Sequence, residues 1–344
     1  AGVRDLINEQ ILSRMHRPDA FCDPSHKLKL TPLQQLVLRD NVPIAKAFDT
    51  RTAAGISRFW YWWLSTGLHE FFNNAEELLD QAIDTLHVAY LPRIASARRP
   101  ILTPLQQIVL AGRSDITDKF DVTKPDTPSK FWQWWLTADS SAFFSKSDRM
   151  RRKELELLHL KHLPKVVKAN GGSLTPFLEL LTSERHDLWA DRDHDNPAAI
   201  GAIWYWWIFE ERKHLPDISE TIKKEIEELH LAHLSRIVSA PSFILSPLLR
   251  IIMNARPDLA ACDVEISVGI AKVWCWWIFE GYRNLREDLS EALKKEIEEL
   301  HLAHLSRIVS APSFILSPLL RIIIDARPDL AAHDVETSNG VAKV

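Results

Sequence analysis

Histidines recur in pairs along the chain: His159 and His162, His230 and His233, His301 and His304, with His87 and Tyr90 at the matching place earlier. A carboxylate precedes each first histidine by three residues, at Asp84, Glu156, Glu227 and Glu298. Glu-x-x-His on facing helices is one way to ligate a pair of metal ions, which makes His230, His233, His301 and His304 candidate ligands. Such a site needs further carboxylates pointing inward, and the other two helices of each repeating unit supply no recurring Glu. The expectation is therefore hydrogen-bonded structural histidines, with no metal and no cofactor.

Aromatic residues are the second candidate. The stretch RFWYWWL at 58–64 returns as KFWQWWL at 130–136, as AIWYWWIFE at 202–210 and as KVWCWWIFE at 272–280, and these copies hold all but one of the 13 tryptophans. On a helix, Trp60 and Trp63 share one face while Trp62 lies about 200° from Trp60, beside Phe59. A helix aromatic on opposite sides is normally sandwiched between layers. We expect Trp60, Trp63, Trp132, Trp135, Trp204, Trp207, Trp274 and Trp277 in the core, each N–H with an acceptor. The second reading gives Trp62, Trp134, Trp206 and Trp276 a groove in which to stack on a sugar or a partner. The middle residue of each cluster, Tyr61, Gln133, Tyr205 or Cys275, varies as a less constrained position would.

Two charged positions also recur. An Asp lies 11 residues before the first Trp at Asp49, Asp121, Asp193 and Asp263, with Asp334 in the matching place of the last repeat. These are expected to cap the Trp helix or occupy its first turn, where free N–H groups attract a carboxylate. A cation recurs near the end of the His helix at Arg14, Arg93, Lys165, Arg236 and Arg307. It suits the negative end of the helix dipole, or it forms a basic row for an anionic partner. Pro92 and Pro164 precede two of these cations where Ser235 and Ser306 stand later, so a kink is expected in the first two His helices alone.

The elements that carry these residues repeat with a fixed period. Pro32, Pro104, Pro176, Pro247 and Pro318, each after Thr or Ser, are separated by 72, 72, 71 and 71 residues. The pattern predicts an all-α solenoid of three-helix repeats. The first helix starts with a Thr or Ser cap and Pro at its first position, the second holds the tryptophans, and the third is long and holds the histidines. The repeats fall at 27–100, 101–172, 173–242 and 243–313, with the end of a truncated repeat at 1–26 and a truncated fifth at 314–344. Residues 223–252 and 294–323 are identical. ANGGS at 169–173 is a helix stop.

Composition narrows the function. A net charge of -4 gives no case for a nucleic-acid binder, and Cys22, Cys262 and Cys275 are too few and scattered for a disulfide framework, which suits a reducing, cytoplasmic setting. No run of about 18 apolar residues is long enough to span a membrane, and residues 1–20 lack the apolar centre of a signal peptide. No nucleophile elbow, phosphate loop, HExxH or paired Cys set is present.

The segments RPDLAACDVEISVGIAKVWCWWIFEG and VPIAKAFDTRTAAGISRFWYWWLSTGLHE resemble a small helical module attached to bacterial glycosyltransferases and other polysaccharide-biosynthesis proteins. Asp49, Asp121, Asp263 and the tryptophans fit its pattern, whereas Arg192 and Cys262 replace an expected Phe. The resemblance implies an accessory role without catalysis. The sequence thus points to a non-catalytic scaffold that docks a protein partner or copies of itself. A polysaccharide ligand and a self-assembling, extracellular fibre are the alternatives.

Overall fold

The computed structural model describes residues 28–121, 124–137, 147–189, 196–211, 219–240, 244–262, 267–284, 290–311 and 316–327. The described residues are helical, and no strand pairs among them beyond a single bridge residue at Leu28. None of their helices is long and apolar enough to cross a membrane. The chain divides into two compact units: residues up to Leu158 with Glu179–Glu184, and His159–Leu178 with residues from Arg185 onward.

A short helix opens each sequence repeat, at Pro32–Asp40, Pro104–Gly112, Pro176–Thr182, Pro247–Ala255 and Pro318–Ala326. Pro at the first turn has no N–H to lose, and the preceding hydroxyl accepts from the N–H three residues on. Thr31, Thr103, Ser246 and Ser317 all do so, and Thr31 and Thr103 complete capping boxes with Gln34 and Gln106.

The Trp helices run over Ala53–Trp62, Thr127–Thr137, Pro197–Phe209 and Ser267–Trp276. In the first and fourth repeats the helix widens into a π turn, Trp63–Gly67 and Trp277–Gly281. Within the N-terminal unit the Ala53–Trp62 helix packs on Pro104–Gly112, and within the C-terminal unit Pro197–Phe209 packs on Pro247–Ala255 and Ser267–Trp276 on Pro318–Ala326. These three Trp helices therefore lie against the opening helix of the following repeat. The approach is close: a Cβ on Gly112 would stand 2.1 Å from Tyr61 Cγ, so the variable middle position of the cluster is a packed one.

Asp49 does not cap the Trp helix. Thr52 does, its hydroxyl accepting from Gly55 N at 3.0 Å, and in the third repeat Asn196 accepts from Ala198 N at 2.9 Å. The helix starts fewer residues before its first Trp than the acidic position requires, so Asp49 falls in the preceding turn, where its carbonyl receives the Thr52 hydroxyl at 3.0 Å. Asp121 likewise serves through its carbonyl, which accepts from the Thr127 hydroxyl. Asp193, Asp263 and Asp334 lie outside the described residues, as does Arg14.

The third element is not one long helix in any repeat. Ala75–Leu86, Ser147–Leu158, Ser219–Leu229 and Ser290–Leu300 each end at a histidine, pass through one 3-10 turn and resume as Leu91–Ser96, Leu163–Lys168, Leu234–Ser239 and Leu305–Ser310. The expected difference between proline-bearing and proline-free repeats is absent. The break falls at the His itself, whose φ and ψ are -127° and -65° at His87 and -133° and -68° at His230. The 3-10 turn then closes on the His carbonyl, for example from His162 N to His159 O at 2.9 Å. Leu163–Lys168 ends in left-handed residues, Asn170 at φ 52° and Gly171 at φ 80°, as a helix stop requires.

Candidate functional site

The residues with chemical potential converge at the histidine breaks. In the N-terminal unit the ring of His87 is fully buried, with Nδ1 2.8 Å from the Thr103 hydroxyl and Nε2 2.8 Å from Glu154 Oε1. That same carboxylate oxygen accepts from the Trp135 indole N–H at 2.7 Å, while Arg151 donates to Oε2 at 3.0 Å. The imidazole lies between two indoles, 6.0 Å from Trp132 and 5.5 Å from Trp135 between centroids.

The C-terminal unit builds the arrangement twice more. His159 joins Thr175 at 2.6 Å and bonds Glu225, which accepts from Trp207 at 2.7 Å. His230 joins Ser246 at 2.7 Å and Glu296 at 3.1 Å, and Glu296 accepts from Trp277 at 3.1 Å and from the Tyr282 hydroxyl at 2.6 Å. In every case the histidine belongs to one repeat and the hydroxyl, carboxylate and indole to the next. Each node is a seam between repeats.

One proton arrangement uses every group once. The cap hydroxyl accepts from the helix N–H and donates to Nδ1, and Nε2–H donates to a carboxylate that also accepts from indole. Burial works to raise the Glu154 carboxyl, but the Arg151 charge and the hydrogen bonds from His87 and Trp135 outweigh it, and the group is held below its ordinary value.

Hydroxyl, imidazole and carboxylate in series are also the parts of a hydrolytic triad. These are sealed: Ser246, His230 and Glu296 are all buried, and the Ser246 oxygen is already the acceptor for Leu249 N–H at 3.2 Å. The arrangement positions helices and has no exposed nucleophile.

The eight first and third tryptophans are all buried. The first Trp of each cluster donates to a carbonyl two residues before the opening cap: Trp60 to Lys29 at 3.1 Å, Trp132 to Ile101 at 2.8 Å, Trp204 to Ser173 at 3.0 Å and Trp274 to Ile244 at 3.1 Å. Among the second tryptophans, Trp62 and Trp134 are half-buried, and Trp206 and Trp276 are 7% and 8% exposed. Guanidinium groups cover the last two, Arg185 and Arg256 each 4.8 Å from the ring centroid. Asp187 and Asp258 hold those arginines through paired hydrogen bonds, and the hydrogen bonds from Arg256 keep the Asp258 carboxyl down at about 2.

The candidate metal ligands do not converge. His233 and His304 each bond a carbonyl of their own helix, Glu228 at 3.2 Å and Glu299 at 3.1 Å, while His230 and His301 turn inward to Ser246 and Ser317. No group of three or more His, Cys, Asp or Glu side chains is placed to hold a metal among the described residues. The carboxylates three residues before the histidines stay out of the buried nodes and bridge the repeats from the more exposed side: Asp84 pairs with Arg149, and Glu227 with Lys295 at 2.8 Å.

The sequence reading missed Glu154, Glu225 and Glu296. Their signal was a carboxylate recurring at the repeat period on the apolar face of the helix, beside Leu155, Ile226 and Ile297. The cations Arg93, Lys165, Arg236 and Arg307 are exposed. Arg93 and Arg58 border a half-open cleft of about 590 Å³ in the N-terminal unit, whose floor includes Ile101, Leu102 and Leu110. Comparison with protein-family models, with curated proteins and with solved structures found no match.

Proposed function

We propose that the chain is a non-catalytic scaffold, an all-α solenoid of three-helix repeats that docks a protein partner, or further copies of itself, through equivalent surfaces. One observation carries the reading: the groups capable of chemistry are spent inside the seams, while each repeat offers the same exposed cation, Arg93, Lys165, Arg236 or Arg307. Equivalent weak contacts add up to avidity without any new type of contact. An acidic segment of a protein is the partner that these recurring cations fit.

An accessory part in polysaccharide biosynthesis is what the Arg-Pro-Asp and Trp segments imply by their resemblance. Direct glycan binding ranks second, because Arg185 and Arg256 already lie over Trp206 and Trp276. The test is capture of cellular proteins by the immobilised full chain, repeated with Arg93, Lys165, Arg236 and Arg307 reversed to Glu singly and together. Retention of a specific protein should fall several-fold at each step. Capture indifferent to all four reversals overturns the proposal.

A further inference from the structure

In the N-terminal unit, side chains of the Trp helix Ala53–Trp62, of the break at Tyr90 and of the opening helix Pro104–Gly112 enclose the half-open cleft of about 590 Å³, a volume within the range of small-molecule sites. Ala54 and Ala111 on its walls are too small to close it. Its inner surface is apolar: Leu110 is 3% exposed, and Ile101 and Leu102 lie beside it. The backbone there is already committed, since Ile101 O accepts from the Trp132 indole at 2.8 Å and Leu102 O from the Gln107 amide at 3.3 Å. The Thr117 hydroxyl is turned to the carbonyls of Leu110 and Arg113.

Charge lies at the edge. Arg58 and Arg93 are exposed there, no carboxylate lines the cleft among the described residues, and Arg58 has no acidic partner among them. The opening helix offers little to an anion, because Pro104 has no N–H and Gln106 N already donates to the Thr103 hydroxyl at 3.3 Å. An anion here is therefore held by guanidinium groups, whose planar fork matches the two oxygens of a carboxylate. The cleft is not one of the equivalent surfaces of the repeats. Ala202 stands at the place of Arg58 in the third repeat, and His162, His233 and His304 stand at the place of Tyr90.

We infer that the cleft binds one small organic acid, an aliphatic chain ending in a carboxylate. The chain lies on Ile101, Leu102 and Leu110, and the carboxylate meets Arg58 and Arg93. An inorganic anion would forgo the apolar surface, and an uncharged chain would forgo the charged hydrogen bonds. This site goes beyond the docking reading and does not depend on it.

The probe is sodium decanoate, titrated calorimetrically into the full chain, with decanol and inorganic phosphate as controls. Decanoate should bind at a single site, and both controls should bind at least about tenfold more weakly, the scale of a hydrogen bond to a charged group. Arg58→Gln, at an exposed position, should weaken decanoate by about the same factor. Ala54→Phe, also at an exposed position, should abolish binding by filling the cleft. Absence of decanoate binding, a control that binds as tightly, equal affinity in Arg58→Gln, or binding that survives Ala54→Phe overturns the inference. Arg58 is not among the four cations reversed to test the scaffold, so the two proposals fail separately.

Discussion

The imidazole of His159 and the carboxylate of Glu225, 66 residues apart in sequence, are hydrogen-bonded to one another and fully sealed from solvent. A contact of that range is the physical meaning of the repeat: the histidine at the break of one His helix is held by a carboxylate of the next. Removing one partner of this buried hydrogen bond leaves the other unsatisfied, at a cost of about 1–3 kcal/mol, and more where the stranded group is charged. Glu225→Ala is expected to lower the unfolding free energy by about that amount, and adding His159→Phe should restore part of it. Chemical denaturation of the four members of the cycle measures this, and additive losses would refute the coupling.

Tyr61 and Gly112 make the second prediction. The missing side chain of Gly112 is what lets the two helices touch. Gly112→Ala should destabilise by about 1–3 kcal/mol, as overpacking does, and Tyr61→Ala in the same chain should relieve it. A neutral or stabilising Gly112→Ala would show that the helices are not in contact there.

Acid should weaken the N-terminal seam. Because the Glu154 carboxyl is depressed in the folded chain, its contribution is complete above the ordinary Glu value of about 4.3 and is lost as the pH falls from there through the folded value. Glu154→Gln cannot titrate. The stability difference between wild type and variant should therefore be largest at neutral pH and shrink below about pH 4.3. A difference that stays constant on acidification contradicts this.

Arg185 and Trp206 test what the second tryptophan of a cluster does. Trp206→Ala should cost about 3–5 kcal/mol, the range for deleting a buried large side chain, and a loss below about 1 kcal/mol would place the indole outside the core. Arg185→Ala should leave the fold intact while making Trp206 fluorescence more quenchable by acrylamide, since the guanidinium covers that ring.

Much of the helical architecture could be read from local signals. The Thr-Pro and Ser-Pro starts of the opening helices depend on one hydroxyl and one missing N–H, and the burial of paired tryptophans follows from their spacing. The seams could not be read this way. Glu154, Glu225 and Glu296 act on histidines in the preceding repeat, and a single helix gives no sign that a buried carboxylate has a partner 66 or 67 residues away. The Asp49 expectation failed because the helix start shifts by a few residues, which is enough to pass the cap to Thr52. The proline expectation failed because the geometry at histidine already breaks each helix, leaving Pro92 and Pro164 to begin helices that start anew.

The central claim, that the aromatic and ionisable groups are committed to internal seams, is tested most directly by hydrogen exchange at the tryptophan indoles, followed by NMR of the full chain. The account predicts slow exchange for the bonded N–H groups of Trp60, Trp132, Trp204, Trp274, Trp135, Trp207 and Trp277. It further predicts that neutral and acidic oligosaccharides leave those rates unchanged. Fast exchange at these positions, slowed by one sugar, would contradict it and make the indoles a ligand-binding surface.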